Sequence, residues 1–116
     1  MLNARSLTLA AGLLVSLASP SLAQEPAVTL FKVVTARDDI VIGLTGPELD
    51  RMGGRDAGTV ARAILAKGEL TAWRYAVRKA PNGDLQQAPS LRVGLLAHAS
   101  MRVEPYATPL PVIAPE

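Results

Sequence analysis

Cysteine is absent from this chain of 116 residues, and histidine occurs only once, as His98. Without thiols the protein forms no disulfide bonds, and cysteine nucleophiles, thiol redox chemistry and thiolate metal sites are excluded. A single histidine likewise excludes a metal site built from several imidazoles. The fold must therefore be held by packing and hydrogen bonding alone.

The chain also lacks an excess of charge of one sign. Basic residues outnumber acidic residues by only 12 to 10, and one of the basic residues, Arg5, lies close to the start of the chain. Binding to nucleic acid or to a membrane surface requires a clustered excess of positive charge. The near balance therefore predicts no nucleic-acid partner, and no motif indicates a cofactor.

The one long apolar run is typical of a secretory signal peptide. Arg5 precedes an apolar run over residues 7–18, which Pro20 and the small residues at 21–23 follow. A helix needs about 20 apolar residues to cross a membrane, and this run has 12. We expect residues 1–23 to form a cleaved leader, with no stable membrane insertion after cleavage.

The remaining chain is expected to contain one domain, residues 24–106, and a proline-rich tail, residues 107–116, that is mobile or lies on the surface. The leader, together with an arginine-rich and alanine-rich composition typical of some bacteria, predicts an exported protein. The periplasm is the expected compartment, and the extracellular space is the alternative.

The order of apolar patterns predicts an α+β domain. Residues 28–35 and 40–44 are rich in β-branched residues, lack a helical period and predict a hairpin. Two short helices should follow, and then strands over 70–79, 91–97 and 101–106. The order β-β-α-α-β-β-β indicates a small, mainly antiparallel sheet of about five strands with both helices on one face.

Capping signals position the two helices. Thr45 and Glu48 form a capping box at the start of the first helix, and Gly53 suits its end. Asp56 can cap a second helix over residues 57–67, and Gly68 suits its end. The predicted apolar stripe of this second helix comprises Ala57, Val60, Ala61, Ile64 and Leu65.

The turn signal at residues 82–83 (Asn-Gly) leaves two registers open for the hairpin after the helices. A two-residue loop sets Trp73 opposite Arg92 on a partly polar face, where the guanidinium can stack on the indole. Pro89 cannot donate a ladder hydrogen bond, which favours a bulge or a longer loop over residues 80–90. We prefer the longer loop, because a shift of one residue moves the only tryptophan to the core face.

His98 and Met101, with Met52 as a third soft donor, are the candidate metal ligands, and copper suits imidazole and thioether ligands. We favour the alternative, in which both methionines belong to the core and His98 ends a strand, because so short a spacing often occurs by chance. His98 with Ser90 or Ser100 also offers a base and a nucleophile, but no activating motif surrounds either serine.

Two other patterns have ordinary structural explanations. Asp38 and Asp39 are adjacent, so on a strand their carboxylates point to opposite faces, and a polar turn accounts for them. The glycine-rich stretch 52–59 enters a helix as phosphate-binding loops do, but it lacks the lysine and the spacing of a P-loop. We interpret this stretch as a break between two helices.

Four arginines, Arg74, Arg78, Arg92 and Arg102, are the candidate ligand-binding residues. Arg74 and Arg78 share one face of a predicted strand, and the other two arginines come from the strands that follow. If the four converge, they form a basic patch suited to carboxylate or phosphate groups. The alternative is a solvated face on which the arginine stems cover apolar area.

These observations favour a binding protein over an enzyme. We expect a non-enzymatic interaction or modulator module whose partner is another envelope protein. The alternative is a small-ligand or anion binder that uses the arginine-bearing face to recognise an anionic component of the envelope.

The leader gives a direct prediction about the exported protein. Its first residue should be Gln24, because the cleavage pattern ends at Ala23. Intact mass spectrometry of the natively exported protein measures this start site. A mass that still includes residues 1–23 would contradict the prediction.

Overall fold

The structure is a computed structural model that describes residues 27–116, so the predicted leader lies outside the described residues. Five strands and two helices follow one another in the predicted order. They are β1 (Val28–Val34), β2 (Asp39–Thr45), α1 (Gly46–Met52), α2 (Ala57–Lys67), β3 (Glu69–Lys79), β4 (Leu85–Leu96) and β5 (Arg102–Pro105).

The strands form one antiparallel sheet in the order β4-β3-β2-β1-β5, which confirms the α+β prediction. β2 is the central strand, as its continuous apolar run indicates, and β4 and β5 are the two edges. Only Ile42 and Gly43 of β2 pair with β3. The end of β4 and the β1–β2 turn together line one cleft of about 340 Å³.

Both helices start and stop where their capping signals predict. The Glu48 carboxylate accepts a hydrogen bond from the Thr45 N–H at 2.8 Å, and the Thr45 hydroxyl accepts one from the Glu48 N–H at 3.3 Å. Asp56 caps α2. Gly53 and Gly68 end the two helices with φ angles of 103° and 86°, which glycine adopts without steric cost.

The helices cover one face of the sheet and close the first core cluster. Val60 and Ile64 of α2 and Leu49 of α1 are fully buried in it. The prediction that Leu65 also belongs to the buried stripe is wrong, since its side chain is 56% exposed. The contact of α2 with the cluster is narrow and centred on Val60 and Ile64, which lie one helical turn apart on the same face. Leu65 is the next residue along the helix and points away from this face. From the sheet, this cluster contains Phe31, Val33, Ile42, Leu44, Ala72 and Leu95.

The opposite face of the sheet carries a second cluster, to which the C-terminal segment contributes. Val28, Leu30 and Tyr75 are buried in it. The Tyr106 N–H donates to the Leu30 carbonyl at 3.2 Å, and the tail then crosses this face to the β4 edge. The half-buried side chains that complete the second cluster are Val41, Trp73, Tyr106 and Val112.

The β3–β4 hairpin follows the first of the two predicted registers over much of its length. Trp73 lies opposite Arg92, and the guanidinium carbon is 5.4 Å from the centroid of the indole ring. A bulge beside Pro89 then shifts the register by one residue. The preferred longer loop over residues 80–90 is wrong, because the strands stay paired as far as Lys79. The bulge and the edge position of β4 accommodate the proline without a longer loop.

Gly43 provides the space that the Tyr75 ring occupies, which yields a stability prediction. A Cβ atom at Gly43 would overlap the Tyr75 ring and lie 2.8 Å from Val28 Cγ1. Gly43→Ala should therefore lower the free energy of unfolding by about 1–3 kcal/mol, as measured by urea denaturation. Gly94→Ala is the matched control, because a Cβ atom at Gly94 would point into open space, with no packing neighbour within 4 Å. Equal losses from both variants would contradict the prediction.

Candidate functional site

The four candidate arginines do not form one patch. Arg74 and Arg92 occupy adjacent cross-strand pairs of β3 and β4, and their side chains therefore lie on opposite faces. Arg78 shares β3 with Arg74, and both are exposed. Arg102 lies on β5 at the far edge of the sheet. Its Nε donates to the Glu104 carboxylate at 2.6 Å, and this hydrogen bond holds the pKa of Glu104 below its ordinary value.

His98 and Met101 belong to a single turn. The Met101 N–H donates to the His98 carbonyl at 3.0 Å, and Ser100 Oγ lies 2.9 Å from His98 Nδ1. Met101 and Met52 pack against the first core cluster, which is the placement that the favoured interpretation expects. Within residues 27–116, no group of three or more His, Cys, Asp or Glu side chains is placed to hold a metal ion.

The acidic residues near the glycine-rich stretch and the first hairpin have structural partners. Asp56 Oδ2 accepts from the Thr59 N–H at 3.1 Å, and Asp56 Oδ1 accepts from the Thr59 hydroxyl at 2.7 Å. These hydrogen bonds hold the pKa of Asp56 below its ordinary value. The Asp38 carbonyl accepts from the Thr35 N–H at 2.9 Å, which makes Asp38 part of the β1–β2 turn.

The outer edge of β4, which no sequence pattern singled out, binds the tail through an isolated parallel β-bridge. The Gln87 N–H donates to the Pro111 carbonyl at 2.8 Å, and the Ile113 N–H donates to the Gln87 carbonyl at 2.9 Å. Val112 lies opposite Gln87 in this bridge and packs into the second cluster. An edge strand offers free N–H and C=O groups to any extended segment, and β4 uses them to bind its own chain.

Tyr75 holds the same stretch of the tail from within the second cluster. Its hydroxyl donates to the Ile113 carbonyl at 2.6 Å, and only 3% of the residue is exposed. Burial, and to a lesser degree the charge of Glu48, raises the pKa of the Tyr75 hydroxyl above its ordinary value. The stabilisation from the neutral hydroxyl is therefore complete below the ordinary pKa, and it is lost as the pH rises through the raised value.

The tail covers only part of this edge. No strand among the described residues pairs with the outer side of β4 over residues 91–96, which we name the open edge. Leu91 and Leu96 within it are 48% and 73% exposed, and Arg92 is its only charged residue. Natural sheet edges are commonly protected by charges, prolines or covering segments. The open edge has little of this protection and is the candidate interaction surface.

The sequence contains one signal for the edge strand β4 and one for the extended tail. Neither signal shows that the tail binds this strand. Pro89 indicates that β4 is an edge strand. The prolines of the tail favour an extended backbone, which is the conformation that a sheet edge accepts. Their meeting depends on the path of the tail across the sheet, which no local pattern encodes.

Comparison with known proteins assigns no family to this chain. No protein-family model matches it, and no curated protein or solved structure is detectably similar to it. In the described part of the chain, no helix is both long enough and apolar enough to span a membrane.

Removing the Tyr75 hydroxyl should loosen the tail. Tyr75→Phe keeps the ring in the second cluster but loses the bond to Ile113, which should lower the free energy of unfolding by about 0.5–1.5 kcal/mol. Urea unfolding followed by the fluorescence of Trp73, the only tryptophan, measures this loss. Tyr106→Phe is the matched control, because the Tyr106 hydroxyl makes no hydrogen bond to the described residues. A larger loss in the control would refute the role given to Tyr75.

Proposed function

We propose that this chain is an exported, non-enzymatic module that binds an extended segment of another envelope protein at the outer edge of β4. The observation that carries the proposal is the pair of main-chain hydrogen bonds between Gln87 and the tail. An edge that holds its own chain in this way has the geometry that strand addition requires.

The open edge supplies the surface for the partner. Strand addition gains affinity from main-chain hydrogen bonds and specificity from the side chains that flank them. Leu91 and Leu96 are exposed beside those main-chain groups, so a partner strand would bury apolar area as it pairs. Removing apolar area from water contributes roughly 25 cal/mol per Å², which supplements the modest net gain from each hydrogen bond.

The predicted leader supports the class of partner. An exported chain meets other exported proteins, and an envelope protein with an accessible extended segment has the chemistry that the edge recognises. The contact between Ser100 and His98 Nδ1 spans two residues of one turn, a local arrangement that differs from a base held in place by a third group. This geometry favours a binding role over hydrolysis.

Site-directed photocrosslinking in the cell tests the proposal. A photoreactive residue at Leu96 should capture one envelope protein reproducibly from the natively exported chain. The same residue at Leu65 should not capture it, although Leu65 is also an exposed leucine, because it lies on α2 and not on β4.

A charge on the edge provides the second arm of this test. Leu91→Lys should reduce the crosslink from Leu96 several-fold, because a lysine on an edge strand opposes pairing with another strand. Leu65→Lys should leave the crosslink unchanged. Capture that is equal from Leu65 and Leu96, or insensitive to Leu91→Lys, would refute binding at the open edge.

A further inference from the structure

One buried polar atom beside the tail has no hydrogen-bond partner among the described residues. Gln87 is only 4% exposed, and its side-chain Oε1 makes no hydrogen bond among the described residues. A buried amide oxygen without a donor has lost its hydrogen bonds to water and has formed no hydrogen bond in the protein to replace them. The tail therefore binds the main chain of Gln87 while leaving its side-chain Oε1 without a hydrogen bond.

The residue of the tail that lies against Gln87 cannot supply the missing hydrogen bond. Val112 is its bridge partner, and aligned residues of neighbouring parallel strands direct their side chains to the same face. The valine side chain is apolar and packs into the second cluster. An asparagine or glutamine at this position would place an amide beside that of Gln87, as in the amide ladders of stacked strands.

The tail is also poorly equipped to pair along β4. Proline has no N–H group, and residues 109, 111 and 115 are all prolines. Pro111 consequently contributes only its carbonyl, and the main-chain contact with β4 is limited to the two bonds at Gln87. An extended segment without proline can donate where the tail cannot, and so form a longer ladder on the same edge.

We propose that the tail is a displaceable occupant of the β4 edge, and that the preferred occupant is an extended partner segment with an amide side chain at the position of Val112. This inference rests on the proposed function, since it assumes that the edge accepts strands from a partner. The partner segment runs parallel to β4, pairs its amide with Gln87 and expels the tail. A glutamine amide can turn to present its oxygen or its nitrogen, and a partner amide pairs with it in either orientation.

Peptide titration of the full exported chain tests this assignment. Two synthetic peptides carry the sequence of residues 107–116, one unchanged and one with Val112→Asn. Each peptide carries an N-terminal fluorescent label, and fluorescence anisotropy measures its binding, because the peptide brings to Trp73 the same residues 113–116 that the tail does. The asparagine peptide should raise the anisotropy saturably and bind roughly tenfold more tightly than the unchanged peptide, as expected when a buried unpaired amide gains a partner.

Two variants of the chain identify the groups responsible. Gln87→Leu should abolish the advantage of the asparagine peptide, so that both peptides bind alike. Should Gln87→Leu fail to fold, the full chain with Val112→Asn replaces it. Its own tail then satisfies Gln87, and the asparagine peptide should bind it several-fold more weakly than it binds the natural chain.

Several outcomes would overturn the inference. One is equal binding of the two peptides to the natural chain, and another is the absence of any anisotropy change with either peptide. A chain that sediments as a dimer, strengthened by Val112→Asn, would assign the edge to the tail of a second copy instead. These results concern the edge at Gln87, whereas the crosslinks from Leu96 concern the open edge, so the two proposals can fail separately.

Discussion

The contact between Tyr75 and the tail is the interaction on which the second cluster depends. The ring fits only because Gly43 has no side chain, and its hydroxyl donates to the Ile113 carbonyl. Through this contact Val112 of the tail packs against the cluster in which Val28 and Leu30 are buried. The helices bury one face of the sheet and the tail shields the other, so a chain without disulfides gains two apolar clusters.

The same contact determines which part of the outer edge of β4 the tail covers. A long edge strand invites pairing with other chains, and proteins commonly protect such strands. Here the tail protects the part of β4 around Gln87, and no strand among the described residues pairs with the open edge. The proposed strand-binding surface therefore lies directly beside a segment of the chain that already pairs with β4 through its main chain. This arrangement connects the stability of the fold with the proposed recognition of a partner.

The parts of the fold that depend on local chemistry could be predicted from the sequence. Thr45, Asp56 and the two glycines that end the helices act through neighbours a few residues away, and their patterns located both helices. Trp73 was harder to place, because the register of its hairpin depends on a bulge beside Pro89 and on what covers each face. The preference for the longer loop assumed a single core, whereas the tryptophan packs against a second cluster.

The candidate site was predicted least well, for a physical reason. The sequence left open whether the candidate arginines converge, and the structure places Arg74 and Arg92 on opposite faces and Arg102 on the far edge. The bond between Tyr75 and Ile113 joins residues that are distant in the chain. Its formation depends on the direction in which the chain leaves β5 and on the space at Gly43, neither of which leaves a periodic signal in the sequence.

Amide hydrogen exchange at Ile113, measured by NMR on the exported chain, tests most directly whether the tail is bound to β4. The Ile113 N–H donates to the Gln87 carbonyl, whereas the neighbouring N–H of Ala114 makes no hydrogen bond to the described residues. Tail binding requires exchange at Ile113 to be much slower than at Ala114 and faster than at the central Ile42, because the tail can open locally without global unfolding. Exchange at Ile113 as fast as at Ala114 would mean that the tail is not held, and would contradict both the second cluster and the strand-binding edge.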